Sequence, residues 1–320
     1  MNGKKSCFLF FFLFYLSSFI LAQNVLAQSS SHTRLYACAL GSDDPAAFMG
    51  GSSIGGGLWQ SDDTGRSWKQ LGWKHVKCYS VDVVAKSNGN IIYQACGNGV
   101  LKSTDAGANW RMVTDWRITE VMDIAIDQNS PNNIYIATAG AIWKSNDAGA
   151  NWYEADTDIP YPIFVSRIKI DPSNHKKVFA ATESGLYESK DGGSEWKKRP
   201  GKDSSVRDMI LSNHGLSAYV ESSGKAVVFE KKWTHKDSQK NLWAIAKYKN
   251  ALYFGSTSGV SDVTGSPQNV HTLLTVGNNL FIGSLNGGVW KADLTEEQPA
   301  CRKSGMDDLQ IWRLKSIEIK

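Results

Sequence analysis

Ser61-Asp-Asp63-Thr-Gly65-Arg-Ser-Trp68, Ser103-Thr-Asp105-Ala-Gly107-Ala-Asn-Trp110, Ser145-Asn-Asp147-Ala-Gly149-Ala-Asn-Trp152 and Ser189-Lys-Asp191-Gly-Gly193-Ser-Glu-Trp196 are four copies of one pattern, S-x-D-x-G-x-x-W. They begin at 61, 103, 145 and 189, so they are 42, 42 and 44 residues apart. A fixed period of about 40 to 50 residues marks a repeat architecture and suits the four-stranded blade of a β-propeller. Locally the pattern reads as a hairpin turn. The Ser and Asp oxygens bond turn amides, Gly accepts a positive φ, and Trp supplies a large apolar plug beneath the turn.

Working outward, alternating apolar residues and turn signals place further strands around each copy. A second strand recurs at Ile91–Cys96, Ile134–Thr138 and Val178–Thr182. Weaker versions stand at Ser217–Val220, Leu252–Ser256 and Leu280–Ser284, with Leu35–Cys38 at the front, which makes seven. First strands precede six of them, at Tyr79–Ala85, Val121–Asp127, Val165–Asp171, Val206–Leu211, Leu242–Tyr248 and Val270–Val276. The front copy has none, and Ile311–Ile317 at the far end of the chain supplies it. The reading is therefore an all-β, seven-bladed β-propeller, with the C-terminal strand closing the first blade so that no sheet edge is left open at the seam. Blades five to seven lack the pattern, and Gly255–Gly265 leaves little room for a fourth strand in the sixth.

The pattern resembles the Asp-box, or BNR repeat, of sialidases, two-propeller xyloglucan hydrolases, sortilin-type receptors and photosystem II assembly factors. The resemblance implies that the box is a structural turn between the third and fourth strands, on the face opposite the ligand site. Ser61, Asp63, Gly65, Trp68 and their counterparts Ser103, Asp105, Gly107, Trp110, Ser145, Asp147, Gly149, Trp152, Ser189, Asp191, Gly193 and Trp196 are thus assigned to the fold. Their recurring carboxylates are turn formers rather than calcium ligands or an acid/base pair.

Residues 1–27 carry Lys4 and Lys5, an apolar run FLFFFLFYLSSFILA and a small-residue end, Val25-Leu26-Ala27. That is the pattern of a secretory signal peptide, leaving residues 28–320 as one propeller domain that is exported, periplasmic or extracellular. No later stretch is apolar enough to span a bilayer. The formal net charge is +4, and two of the positive charges leave with the leader. So small a charge argues against nucleic acid as a partner, because phosphate binding needs a concentrated basic surface. Cys38, Cys78, Cys96 and Cys301 remain, an even number compatible with disulfides. Cys78 and Cys96, expected at the same end of adjacent strands in blade two, are the first candidate pair. No C-x-x-C spacing indicates zinc or haem, and no metal or cofactor is expected.

With the boxes on one face, the ligand face is formed by the loops joining one blade to the next and those between second and third strands. The candidate ligand- or partner-binding residues there are Trp116, Arg117, Tyr161, Arg207, Trp233, His235 and Trp312. Arg167 and Arg207, at the starts of first strands, are placed to face the central channel or to form inter-blade salt bridges. His75, His235 and His271 come from different blades without paired spacing and read as solvated loop residues.

A sialidase-like site would show an arginine triad, an early Arg-Ile-Pro and a Tyr-Glu pair. Ser166-Arg167-Ile168 lacks the proline and falls in blade four, and Tyr161 has no Glu beside it. The xyloglucan hydrolases use two propellers where this chain has one. A glycoside hydrolase needs two carboxyl groups about 5–10 Å apart, and Asp43 or Asp44 with Asp307 or Asp308, Asp43 with Asp307 first, is the pair that ring closure would bring near. The leading expectation is a non-catalytic propeller that binds or scaffolds a protein partner or complex. The alternative is a polysaccharide-directed hydrolase, lyase or glycan-binding module.

Overall fold

The computed structural model describes residues 31–41, 55–155, 158–160, 163–199, 204–212, 215–229, 233–237 and 241–319, with backbone alone for Phe229 and Trp233–Asp237. The leader and the loop holding Asp43 lie outside the described residues, as does Tyr161. Thr33–Ile319 fold as a seven-bladed β-propeller. Blade two contains Cys78–Val83, Ile92–Cys96, Gly99–Ser103 and Arg111–Met112, from the inside outwards. Blades three, four, five and seven repeat that antiparallel order. Their innermost strands are Val121–Ile126, Val165–Asp171, Val206–Ser212 and Val270–Val276. Blade six has three strands, Leu242–Tyr248, Ala251–Ser256 and Gly259–Val260. Beyond them Thr264 bridges to Ala300, and the Cys301 N–H donates to Thr264 O at 2.9 Å, so chain from blade seven covers the short edge.

Blade one is composite. Ile311–Ile319 forms its inner strand, beside His32–Ala39, Gly57–Ser61 and Lys69–Leu71. The ring is closed as the sequence predicts, with seven blades.

Inner strands such as VMDIAI at 121–126 are buried at every position, because blades pack on both of their faces, and apart from Asp123 the run is apolar throughout. Small residues on the second strands let neighbouring blades approach. A Cβ on Gly255 would stand 2.6 Å from Val270 Cγ1, and one on Gly283 would stand 2.6 Å from Ile311 Cγ2.

The four boxes share one geometry. In the third, Ser145 Oγ donates to Asp147 Oδ1 at 2.8 Å and accepts the Gly149 N–H at 2.9 Å, while Asp147 accepts the Asn151 N–H at 2.8 Å and its amide at 2.7 Å. Gly65, Gly107, Gly149 and Gly193 all have φ between 83° and 88°, where only glycine is unstrained.

The tryptophan does more than plug its own turn. Trp68 Nε1 donates to Ser304 O at 2.7 Å and Trp152 Nε1 to Val113 O at 2.8 Å, and Trp196 reaches Ala155 O in the same way. Each acceptor follows the outer strand of the preceding blade, so the ring pegs one blade to the one before it. Trp110 bonds within its box, to Gly107 O at 2.9 Å, but packs where a Cβ on Gly72 of blade one would be.

Hydrogen bonds hold the carboxyls of Asp63 and Asp147 down at about 2, well below the usual carboxylate value. The ionised form is therefore bound more tightly in the fold than in the open chain. Its stabilisation is complete above pH ~4 and is lost as pH falls through about 2. The expected result is a urea midpoint that drops between pH 4 and pH 2, with a shallower drop in Asp147→Asn. An equal drop in both proteins would show that the boxes do not set acid stability.

Cys78 and Cys96 stand opposite each other in register, as expected, but both are free thiols. Their sulfurs are turned to separate backbone acceptors, Ser80 O at 3.8 Å for Cys78 and Gly99 O at 3.1 Å for Cys96.

Candidate functional site at the channel mouth

The inner strands of blades two to seven share an irregularity that builds the site. Pairing with the second strand shifts between Cys78 and Ser80, Val121 and Asp123, Val165 and Arg167, Val206 and Asp208, Leu242 and Ala244, and Val270 and Thr272. In each blade one residue is left out of the ladder: Tyr79, Met122, Ser166, Arg207, Trp243 or His271. A β-bulge re-aims the extra side chain. In blade one Ile311 packs on Gly283 as Val270 does on Gly255, which puts Trp312 at the corresponding position. Six of these seven residues, with Phe164 and Arg167, line a cavity of about 150 Å³ at the mouth of the channel.

The planar groups form a stacked arc across five consecutive blades. The Arg207 guanidinium lies 4.5 Å from the centre of the Trp243 ring. Trp243 stands 5.2 Å from His271, and His271 lies 3.8 Å from Trp312. Tyr79 meets Trp312 edge-on at 5.5 Å and donates its hydroxyl to Glu120 at 2.9 Å. His271 is only 4 % exposed, which corrects the reading of it as a solvated loop residue. Burial, then the Arg167 charge, holds its pKa well below the ordinary histidine value. The nitrogen facing Trp312 O at 3.0 Å carries a proton, since a carbonyl oxygen can only accept.

Beneath the arc a tier of charged groups closes the channel. Asp123 accepts Ser80 Oγ at 2.5 Å and the Ile168 N–H of blade four at 3.1 Å, and lies 3.6 Å from Arg313. Asp208 accepts the Ile245 N–H of blade six at 3.2 Å and pairs with Arg167 at 3.5 Å. Two residues further along its strand than Ser80, Asp82 accepts the Ile126 N–H at 2.8 Å and pairs with Lys315 at 2.9 Å. These three carboxylates tie neighbouring inner strands together through backbone amides. A wider cavity of about 760 Å³ opens below them towards the other face.

Arg207 differs from these cations. No carboxylate lies within ion-pair distance of it among the described residues, and its Nε, like the indole Nε1 of Trp312, is buried without a hydrogen-bond partner. Desolvation alone lowers its pKa. A guanidinium on an indole face with no ion-pair partner among the described residues, lining the same cavity as the unsatisfied Trp312 N–H, is built to receive an acceptor group.

The remaining sequence candidates are dispersed. Trp116, at the tip of the linker between blades two and three, is 86 % exposed, and Trp73, in the linker before it, is 48 % exposed. Arg117 forks onto Asp115, with contacts of 2.6 to 3.2 Å. Asp307 pairs with Lys303 at 3.5 Å, and its proposed mate Asp43 lies outside the described residues. Trp233 and His235 sit on the outermost strand of blade five, opposite Phe229 and Val227 in register, away from the channel strands. Sequence reading found Arg207 and Trp312 but not Trp243, His271 or Tyr79. The available signal was the residue just after the apolar start of each first strand, in C-Y-S, V-M-D, V-S-R, V-R-D, L-W-A, V-H-T and I-W-R, whose type varies while its neighbours repeat.

The fold and its boxes define a single-ring Asp-box propeller with an aromatic, cationic channel mouth. Residues 98–288 match the Sortilin-Vps10 family, described as sortilin, neurotensin receptor 3, and the chain belongs to that family. No curated protein matches the sequence. Among solved structures, YCF48 from Cyanidioschyzon merolae is 14% identical over 74% of this chain and 87% of its own, with a TM-score of 0.56. YCF48 bound to D1 peptide is 14% identical over 70% of this chain and 81% of its own, at 0.51. The GH74 xyloglucanase from Xanthomonas campestris is 15% identical over 87% of this chain but only 52% of its own, at 0.60. At these identities the likeness is one of fold.

Proposed function

We propose that the protein is an exported, non-catalytic propeller that binds or scaffolds a protein partner and seats an acidic group of that partner on the channel mouth. The observation that carries the proposal is Arg207 on the face of Trp243, together with the Trp312 N–H, neither of them with a partner among the described residues. The exposed rings of Trp73 and Trp116 extend the same face, and exposed aromatics are frequent anchors of protein contacts. A propeller of like fold is known with a peptide bound, YCF48 with D1 peptide, which supports the reading by analogy of fold. Export rests on the leader at residues 1–27. The channel carboxylates are engaged by backbone amides and cations, which suits a structural part better than acid/base work.

The test is native mass spectrometry of the tagged protein isolated gently from the extracytoplasmic fraction of its own cells. A stoichiometric polypeptide is expected, reduced at least ~100-fold in affinity by Arg207→Glu and by Trp243→Ala at unchanged melting temperature. Equal binding by both variants overturns the site. A monomer that hydrolyses polysaccharide, and stops doing so on Asp307→Ala, overturns the function.

A further inference from the structure

Three of the cysteines gather at the seam between blade one and blade two. Cys38, Cys78 and Cys96 are all fully buried. Cys38 sits near the end of blade one's His32–Ala39 strand, and Cys78 opens the inner strand of blade two. Both belong to one apolar cluster wedged between the blades, with Tyr36, Leu58, Leu71 and Val81. Both are free thiols in the fold, and within the cluster Cys38 lies close enough to act on the Cys78 thiol across the seam. Cys96 instead donates to Gly99 O in its own hairpin at 3.1 Å, and Cys301 packs against the cluster between blades six and seven.

We infer that Cys38 and Cys78 are the disulfide-forming pair of this chain, bonding blade one to blade two across the seam. The place matters because blade one alone is assembled from both ends of the chain, and its inner strand arrives last. A bond from residue 38 to residue 78 would tie the N-terminal strands to blade two whether or not the C-terminal strand is in place.

The chemistry is thiol–disulfide exchange with an external disulfide such as oxidised glutathione. One cysteine, as thiolate, attacks the disulfide and releases a glutathione thiolate. The second cysteine, as thiolate, then displaces the other glutathione. The two protein sulfurs lose two electrons and their protons, and the oxidant becomes two glutathione thiols. Burial pushes the Cys78 thiol well above its ordinary value, so the exchange belongs to folding, before the seam closes, and the finished bond is shielded from reductant.

The purified protein is refolded from denaturant in a buffer of reduced and oxidised glutathione, its remaining thiols are alkylated, and its peptides are mapped without reduction. A Cys38–Cys78 linked peptide is expected, with Cys96 and Cys301 alkylated. Reduction of the refolded protein should lower its melting temperature by roughly 10 °C. That sensitivity should persist in Cys96→Ser and vanish in Cys38→Ser. A Cys78–Cys96 link, four alkylated thiols, or a melting temperature indifferent to reductant in the wild-type chain would overturn the assignment.

Discussion

Removal of residues 311–320 is expected to leave no soluble, cooperatively folding protein, although it touches only one strand. The strand Ile311–Ile319 is the inner member of blade one. It buries Ile311, Leu314 and Ile319, side chains worth about 1.5–3 kcal/mol each when fully buried. It also supplies Lys315 to Asp82 and Arg313 to Asp123. Taking Arg313 from its buried pair with Asp123 costs about 3–5 kcal/mol, because the carboxylate is left charged and unpaired; the loss at Asp82 is smaller, since the Lys315 side chain is 41 % exposed and its charge is screened. Together these losses are as large as the ~5–15 kcal/mol that holds a typical domain together. Soluble yield and a melting curve decide the matter, and a truncated chain that melts cooperatively within a few degrees of the intact one would show that the ring does not depend on its closing strand. Leu314→Asp tests the same strand with the chain length intact and should be nearly as damaging.

Replacement of Asp123 by Ala is expected to destabilise the protein by about 3–5 kcal/mol, more than any change at the rim. Its carboxylate serves Ser80, the Ile168 amide and Arg313 at once. Deletion leaves a buried amide unsatisfied and a cation without its partner. Urea denaturation measures the loss. The control is Arg207→Ala, which breaks no ion pair among the described residues and should shift the midpoint by less than about 1 kcal/mol. If the two substitutions cost the same, the separation between a structural tier and a ligand-facing tier above it fails.

That separation marks how much could be read from the sequence. The boxes announced themselves because a turn that needs a hydroxyl, a carboxylate and a positive-φ glycine at fixed spacing leaves the same letters each time. The closing strand was legible by subtraction, since the front copy lacked a first strand and Ile311–Ile317 had no other place. The channel mouth was harder. A bulge shifts backbone pairing without demanding any residue type, so Tyr79, Met122, Ser166, Arg207, Trp243 and His271 share a place and no chemistry. His271 was misread because nothing in V-H-T tells a solvated ring from one sandwiched between two indoles. The inter-blade reach of Trp68, Trp152 and Trp196 was equally hidden, since its acceptors are backbone carbonyls some 40 residues away, or at the opposite end of the chain.

Because the mouth is paved by one bulged residue from each blade, and each such side chain is excused from its own strand's ladder, the seven positions can be changed one codon at a time. Most of the hydrogen bonds and ion pairs that keep the ring shut lie a tier below, at Asp82, Asp123 and Asp208, and would not feel the exchange; the exceptions are Ser166, whose hydroxyl donates to Val206 O at 2.9 Å, and His271, bonded to Trp312 O at 3.0 Å. A lineage carrying this scaffold can therefore acquire a new ligand by drift at the remaining mouth positions, which predicts that relatives with superimposable rings will differ most where a search for shared motifs would expect them to agree.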